Sequence, residues 1–313
     1  MNVSEPEISV VIATYNRAGT LPRAVASVLA QDDANFELII IDDASSDGTT
    51  AWLNALNDPR IVARRAQQNL GPSGARNFGL ELARAPVVAF LDSDDAYLPH
   101  RLSAPLAALK ADTTLVCTLS SARKYDRGVP RDARIPDLAF KPAAFGWALT
   151  CDLIPVEATS ITVRREAALS VGGFCNALRL TEDREFLIRL SRLGGGRLLP
   201  DVLWEKFWSS EGLSAEWNKA AAGLVAYVRQ RPEYLSRYPK LASYLATKIL
   251  VGHVRDRHYG ALLRDFNLLH AAGIVSANPL REIRTHREVK HYRRAMSGAN
   301  ALAGIQGPPE SWR

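Results

Sequence analysis

The sequence predicts an α/β fold: a mainly parallel sheet flanked by helices, with a helical C-terminal extension. Two observations carry this. Over the first hundred residues short β-branched apolar runs alternate with segments of helical period, the pattern of βαβ units. From about Ser214 onward the pattern is helical and basic, without clear strands. The expected division is therefore 1–212 for the sheet domain and 213–313 for the extension.

The elements follow in order. Ile8 to Ala13 is nearly all apolar and β-branched, as in a strand buried on both faces. Leu21 to Ala30 reads as a helix, Phe36 to Ile41 as a second buried strand and Thr49 to Leu56 as a helix. Arg60 to Ala63 is a short third strand, Gly74 to Ala83 a helix and Val87 to Leu91 a fourth strand. Beyond Leu109 the order weakens. Thr113 to Leu119 reads as a strand, and residues 121–150, rich in Pro, Arg and Asp, as a long loop region of the kind that forms lids. Ile161 to Val163 restarts strand structure, and Arg165–Val171 and Glu182–Leu193 read as helices.

Composition sets the bounds. An apolar content of 47% supports a full core and excludes global disorder. The net charge of +6 is compatible with nucleotides, phosphates, acidic lipids or nucleic acid, without choosing among them. Cys117, Cys151 and Cys175 are an odd, widely spaced set with no zinc spacing, which points to a reducing cytoplasm. Met1 to Glu7 is acidic and lacks the apolar core of a signal peptide. No apolar run reaches the roughly 18 residues of a membrane span, so membrane contact is expected to be peripheral, at the inner face.

Ligands of parallel sheets bind beyond the carboxyl ends of the strands. Polar clusters follow the strands directly: Thr14-Tyr15-Asn16-Arg17, Asp42-Asp43 with the turn to Gly48, Gln67-Gln68-Asn69, and Asp92-Ser93-Asp94-Asp95. If the strands are parallel, all of these share one edge. Three carboxylates within Asp92–Asp95 repel unless a cation sits among them, and Mg2+ and Mn2+ favour such oxygen ligands together with phosphate oxygens. An acidic turn or helix cap is the alternative. Asp43 can accept from a base N–H or a ribose hydroxyl, or cap the turn after it. Gly71-Pro72-Ser73-Gly74-Ala75-Arg76 opens a helix where backbone N–H groups favour anions, with Arg76 a diphosphate contact, a residue that positions an aspartate, or a surface residue of a simple loop. Asp183 shares a helical stripe with Leu187 and Leu190, which predicts a partly desolvated carboxylate suited to general-base work; an ordinary acid at a helix N-terminus is the alternative. No GxGxxG follows the first strand and no GxxxxGK[ST] occurs.

These segments, with Val171-Gly172-Gly173-Phe174 and Glu182-Asp183, stand in the order of a known family. Over about residues 8–200 the chain resembles the family 2 inverting glycosyltransferases of GT-A fold. The resemblance implies a nucleotide-sugar donor, expected to be UDP-linked, and a sugar or lipid-linked saccharide acceptor. It implies donor contacts from Thr14, Tyr15, Asn16, Asp43, Asn69, Gly71, Arg76, Asp92, Ser93 and Asp94. It also implies Mn2+ or Mg2+ held by Asp94 and Asp95, Asp183 as catalytic base, and a role in surface polysaccharide or glycoconjugate synthesis. One departure stands out: family members often carry a His that helps hold the metal or diphosphate where Leu203 to Ser210 has none, leaving Lys206 or Trp208 as substitutes or a metal with fewer protein ligands.

Two other functions compete. A nucleotidyltransferase making nucleotide-sugars needs a basic, Gly-rich loop after the first strand, where Thr14-Tyr15-Asn16-Arg17 stands instead. A non-catalytic nucleotide-sugar-binding protein has no need of the intact acids. The stretch Arg281–Arg294 is compatible with an anionic membrane or with a solvated helix face; no nucleic-acid module accompanies its charge. Tyr227, Tyr234, Tyr238 and Tyr244 are expected to pack within helices.

Overall fold

Strand β1 (Ile8–Thr14), helix α1 (Leu21–Leu29), β2 (Phe36–Asp42), α2 (Thr49–Asn54), β3 (Ile61–Arg65), α3 (Gly71–Leu82) and β4 (Val87–Asp92) succeed one another as the hydrophobic periods predict. They are followed by β5 (Ala96–Tyr97), α4 (Ser103–Ala111), β6 (Leu115–Asp126), β7 (Val129–Ala133), β8 (Leu138–Phe140), α5 (Pro142–Thr150), β9 (Ile161–Arg164), α6 (Arg165–Ser170), α7 (Glu182–Leu190) and β10 (Gly195–Lys206). The structure is a computed structural model, and it describes residues 5–126, 128–178, 181–207, 220–231 and 239–307.

The main sheet path runs β3-β2-β1-β4-β9-β6-β10-β5. β3, β2, β1 and β4 are mutually parallel, so the residues after each of them emerge at one edge. The sheet is mixed beyond β4: β9 runs antiparallel to both β4 and β6, and β10 runs parallel to β6. Ile8, Val10 and Ile12 of β1 share one core cluster with Leu38, Ile40, Ala89 and Leu91 of the neighbouring strands and with Leu21, Ala24, Val25 and Val28 of α1. On the other face, a Cβ on Gly79 of α3 would collide with Val11 Cγ1, so only glycine lets this helix sit so close to β1. Phe90 of β4 meets Phe174 edge-on at 5.0 Å, and Phe174 stacks on Phe186 of α7 at 4.3 Å. These buried rings anchor the helix that carries Asp183, through contacts whose loss costs about 3–5 kcal/mol per ring.

Residues 121–150 are not a long loop. β6 continues to Asp126, β7 pairs with it antiparallel, and β8 and α5 follow. Every residue of β7 is exposed, so backbone pairing and the Arg123–Asp132 ion pair (3.0 Å) hold it, with no buried face to leave a hydrophobic period. Helix α5 is apolar on nearly every side, which likewise hides its period. β10, also unpredicted, is broken by bulges between Leu199 and Trp204 that interrupt its alternation. Helix α3 begins at Gly71 rather than Gly74, with Pro72 in its first turn, where a missing N–H is harmless.

The chain divides into two compact units: Met1–Gly146, Ile154–Asn176 and Glu182–Ser209 form the first, and Trp147–Leu153, Ala177–Thr181 and Ser210–Arg313 the second. The described helices of the second are α8 (Ala220–Gln230), α9 (Pro239–Arg255), α10 (Tyr259–Ala271), α11 (Pro279–Ala295) and α12 (Ala299–Ala303). Tyr227 and Tyr244 are buried there, as packing residues; Tyr234 and Tyr238 lie outside the described residues. Val289 of α11 is buried, Tyr244 stacks on His286 at 4.9 Å, and Trp147 Nε1 donates to Tyr292 Oη at 2.9 Å.

Candidate active site

The loops after β1 and β2 are locked together. Asn16 has a left-handed backbone (φ 52°), its N–H donates to Ser45 Oγ at 2.9 Å, and its Oδ1 accepts from Ser46 N at 2.8 Å. Thr14 is buried at the end of β1 with its Oγ1 unpartnered among the described residues, while Tyr15 is exposed beside it. The two acids after β2 separate in role. Asp42 is fully engaged: Ser45 N and Thr50 Oγ1 donate to it at 2.9 and 2.6 Å, and Arg65 pairs with it at 2.8 Å. Burial raises its pKa, but these bonds and the Arg65 charge bring it below the usual carboxylate range. Asp43 accepts one backbone N–H on each oxygen, from Leu70 at 2.7 Å and Gly71 at 2.9 Å, where Gly71 takes a φ of +75° at the start of α3. Burial, opposed by those two N–H groups and reinforced by Asp42, leaves Asp43 above its ordinary value. Asn69 Nδ2 donates to the Asp43 carbonyl at 3.3 Å.

After β4 the Asp92–Asp95 turn closes on itself, with Asp95 N donating to the Asp92 carbonyl at 3.0 Å. Thr159 bridges the turn: its Oγ1 accepts from Asp92 N at 3.1 Å and donates to Asp95 Oδ2 at 2.8 Å. Phe207 N reaches Asp95 Oδ1 at 3.3 Å, which brings the end of β10 to the cluster. Arg23 of α1 donates to the Asp94 carbonyl and lies 3.6 Å over the Phe207 ring. Ser93 is buried within the turn. Burial and then the neighbouring Asp92 raise the pKa of Asp94, against the pull of Arg17 and Lys206. Asp95 is pushed well above the carboxylate range by burial and then by Asp92 and Asp94. Burial lowers the pKa of Lys206, but Glu157, with which it pairs alongside Lys124, and then Asp95 and Asp92 outweigh this and hold it above its usual range.

Arg76 joins this edge to the second half of the motif set. It is buried on α3, with Nη2 on Asp92 Oδ1 at 2.8 Å and Nη1 on Glu182 Oε1 at 2.9 Å. Asp183 is the next residue. Burial, then the Glu182 charge, raises its pKa to about 7, while Arg184 and Arg76 pull the other way. The desolvation expected from its stripe is therefore present, and Leu187 and Leu190 are fully buried. The segment before α7 is pinned as well. Asn77 Oδ1 accepts from Phe174 N at 2.7 Å, and Arg189 spans Glu185 (2.6 Å) and the Gly173 carbonyl (2.6 Å).

Three residues were not singled out as site groups from sequence. Thr159 carries no motif, Glu157 lies just past the stretch read as loop, and Arg23 is one more arginine on an amphipathic helix; each matters only through partners 33 to 71 residues away. Trp208, one of the two proposed His substitutes, lies outside the described residues, and Lys206 is the other.

A parallel half-sheet thus meets, at its polar edge and through Arg76, an acid carried by α7. Residues 9–172 match the sequence profile of Glycosyl transferase family 2, over half of the chain, and the chain belongs to that family. It is 44% identical over 97 residues to the succinoglycan biosynthesis protein ExoO of Rhizobium meliloti (strain 1021), covering 31% of this chain and 28% of the relative. It is 40% identical over 96 residues to the UDP-Glc:alpha-D-GlcNAc-diphosphoundecaprenol beta-1,3-glucosyltransferase WfaP of Escherichia coli, covering 31% and 38%. These matches thus span well under half of each relative. Among solved structures, TarS 1–349 of S. aureus in complex with UDP-GlcNAc superposes with a TM-score of 0.62 at 19% identity, covering 95% of this chain and 89% of that one. The mannosyltransferase PcManGT of Pyrobaculum calidifontis in complex with GDP-Man and Mn2+ gives 0.57 at 19%, covering 96% and 85%. At such identities the likeness is one of fold.

Proposed function

We propose that this chain moves a sugar from a nucleotide-sugar donor, UDP-linked in our reading, to an acceptor hydroxyl with inversion at the anomeric carbon. The observation that carries this is the Arg76 bridge, which ties Asp92 at the donor edge to Glu182 beside Asp183. Residues 1–212 carry this chemistry in our reading, and 213–313 serve acceptor, membrane-surface or oligomer contact.

Thr14, Tyr15, Asn16, Asp43, Asn69 and Gly71 receive the nucleoside, with Asp43 offering each oxygen's remaining lone pair to the base. Asp92, Ser93 and Arg76 lie along the ribose and diphosphate. Ionised Asp183 takes the proton from the acceptor hydroxyl as that oxygen attacks the anomeric carbon. The bond from that carbon to the diphosphate breaks, and the nucleoside diphosphate leaves with the electron pair.

The residues present fit a divalent cation. Burial, and after it the like charges crowded at Asp92, Asp94 and Asp95, raises the pKa values of Asp94 and Asp95, and a cation among them would relieve both. Among the described residues no group of three or more acidic, His or Cys side chains forms a ready metal cage. Asp94 and Asp95 would hold Mg2+ or Mn2+ together with phosphate oxygens and water, the oxygen ligands such ions favour at nucleotide sites. When bound, Mn2+ or Mg2+ supplies Lewis-acid charge toward the departing diphosphate.

The names of WfaP, with UDP-Glc and a lipid diphosphate, and of the TarS complex with UDP-GlcNAc favour a UDP donor and a sugar or lipid-linked acceptor, which our reading puts at the cytoplasmic face of a membrane. ExoO's name favours polysaccharide synthesis. A screen of nucleotide-sugars by thermal shift and donor hydrolysis, with and without Mn2+ or Mg2+, tests the proposal. It is abandoned if no nucleotide-sugar raises the melting temperature.

A further inference from the structure

The second unit carries an uneven share of both charge and exposed apolar surface. Residues 239–307 hold eleven Lys and Arg against four Asp and Glu, a surplus of seven that exceeds the +6 of the whole chain. Among the described residues eleven large hydrophobics are exposed, and six of them fall between 251 and 283: Val251, Val254, Tyr259, Leu263, Leu280 and Ile283. Single exposed hydrophobics are ordinary on a monomer, but six within about a tenth of the chain are a concentration.

Helix α11 shows how the two features combine. Leu280, Ile283, Arg284, Arg287, His291 and Arg294 follow at spacings of three and four residues or stand side by side, so they share one helical face, and all are exposed. The opposite face is spoken for: Val289 is buried, Glu282 accepts from Ser243, and Arg293 reaches Asp152 at 2.6 Å. Arg284, Arg287 and Arg294 have no ion-pair partner among the described residues. Leu280 is 78% exposed, which within this unit has no packing rationale. A similar mixture occurs where α9 turns into α10. Val251 and Val254 close α9, Tyr259 and Leu263 open α10, and Arg255 and Arg257 flank the turn, with Val251, Val254, Arg255, Arg257 and Tyr259 all exposed.

We infer that the Leu280–Arg294 face of α11 docks on an anionic phospholipid surface, with the α9–α10 turn a second patch of the same composition. Cations alone suit any polyanion. Aliphatic side chains set among arginines suit a bilayer interface in particular, because they gain by leaving water while the guanidinium groups stay with the headgroup phosphates. A nucleic-acid backbone rewards the charges and leaves Leu280, Ile283, Val251 and Val254 in water. The described helices are neither long nor apolar enough to cross a membrane, so the contact is interfacial. This deepens the proposed function, on which it rests for its biological sense, by naming the surface on which a lipid-linked acceptor would be met, yet its test needs no donor or acceptor.

The experiment is co-sedimentation of the purified full chain with phosphatidylcholine vesicles, with and without phosphatidylglycerol, at low and raised salt. Binding is expected only with phosphatidylglycerol present. Arg284→Gln with Arg287→Gln is expected to weaken partitioning about 25-fold, from about 5-fold per cation at the surface. Leu280→Ser with Ile283→Ser is expected to weaken the binding that remains at raised salt, where charge is screened. All four positions are exposed, and an unchanged melting temperature confirms that each variant folds. Equal binding to neutral vesicles, or unchanged binding by both double variants, overturns the inference. So does a chain that ignores vesicles and instead binds poly-uridylate or self-associates through these residues. Loss of the nucleotide-sugar thermal shift would strike the transferase reading and leave this result standing.

Discussion

Asp183→Asn offers the sharpest test of the site, because it predicts a gain and a loss together. Burial lifts the Asp183 carboxyl from 3.8 to about 7. A carboxyl held above its unfolded value favours the folded state at low pH, and that contribution is lost as pH rises from about 4 to about 7. Three units at about 1.4 kcal/mol each set a ceiling of about 4 kcal/mol. Asp183 is only half-buried, so solvent screening leaves about 1–2 kcal/mol between pH 5 and pH 8. Asparagine has no charge to desolvate. The variant should therefore gain about 1–2 kcal/mol on wild type between pH 5 and pH 8, read by denaturant unfolding at both pH values. Transfer should fall about 10²–10⁴-fold, while the donor-induced thermal shift persists. In the wild type, transfer should rise with pH through about 7, as the base ionises. A pH-independent stability difference would refute the desolvated carboxylate, and surviving transfer would refute the base assignment.

Arg76→Ala should cost about 3–5 kcal/mol in unfolding free energy, because it leaves Glu182 buried without its partner, and should abolish donor stabilisation in thermal shift. Thr159→Val keeps the shape but removes the donor to Asp95 and the acceptor for Asp92 N; expect a loss of about 1–3 kcal/mol and a weaker metal-dependent donor shift. Gly173→Ala drives a Cβ into Asn77 Oδ1 at a φ of +63°. A fall in thermal stability worth about 2–3 kcal/mol is expected, and an unchanged melting temperature would contradict the geometry.

Much of the first unit was legible because its signals are local. β1, β2 and β4 are buried on both faces, so their runs of Ile, Val and Leu stand out, and the acids follow at once where the strands end. The stretch from 121 to 150 reads as loop for the converse reason. β7 buries nothing and α5 is apolar on nearly every side, so neither shows a period. Asp42 and Asp43 look alike in sequence, yet one is consumed by Ser45, Thr50 and Arg65 while the other keeps acceptor capacity at the start of α3.

By itself, the sequence determined the alternation of strands and helices, the edge on which the polar clusters gather, and the order of motifs that marks the family. Periodicity and strand-end chemistry are written within a few neighbouring residues. The tertiary structure alone decided which charges meet. Arg76 touches Asp92 sixteen residues away and Glu182 a hundred and six away, and Thr159, just before the neighbouring strand β9, closes the Asp92–Asp95 turn. Those pairings depend on burial and on distances set by packing, and no local pattern records them.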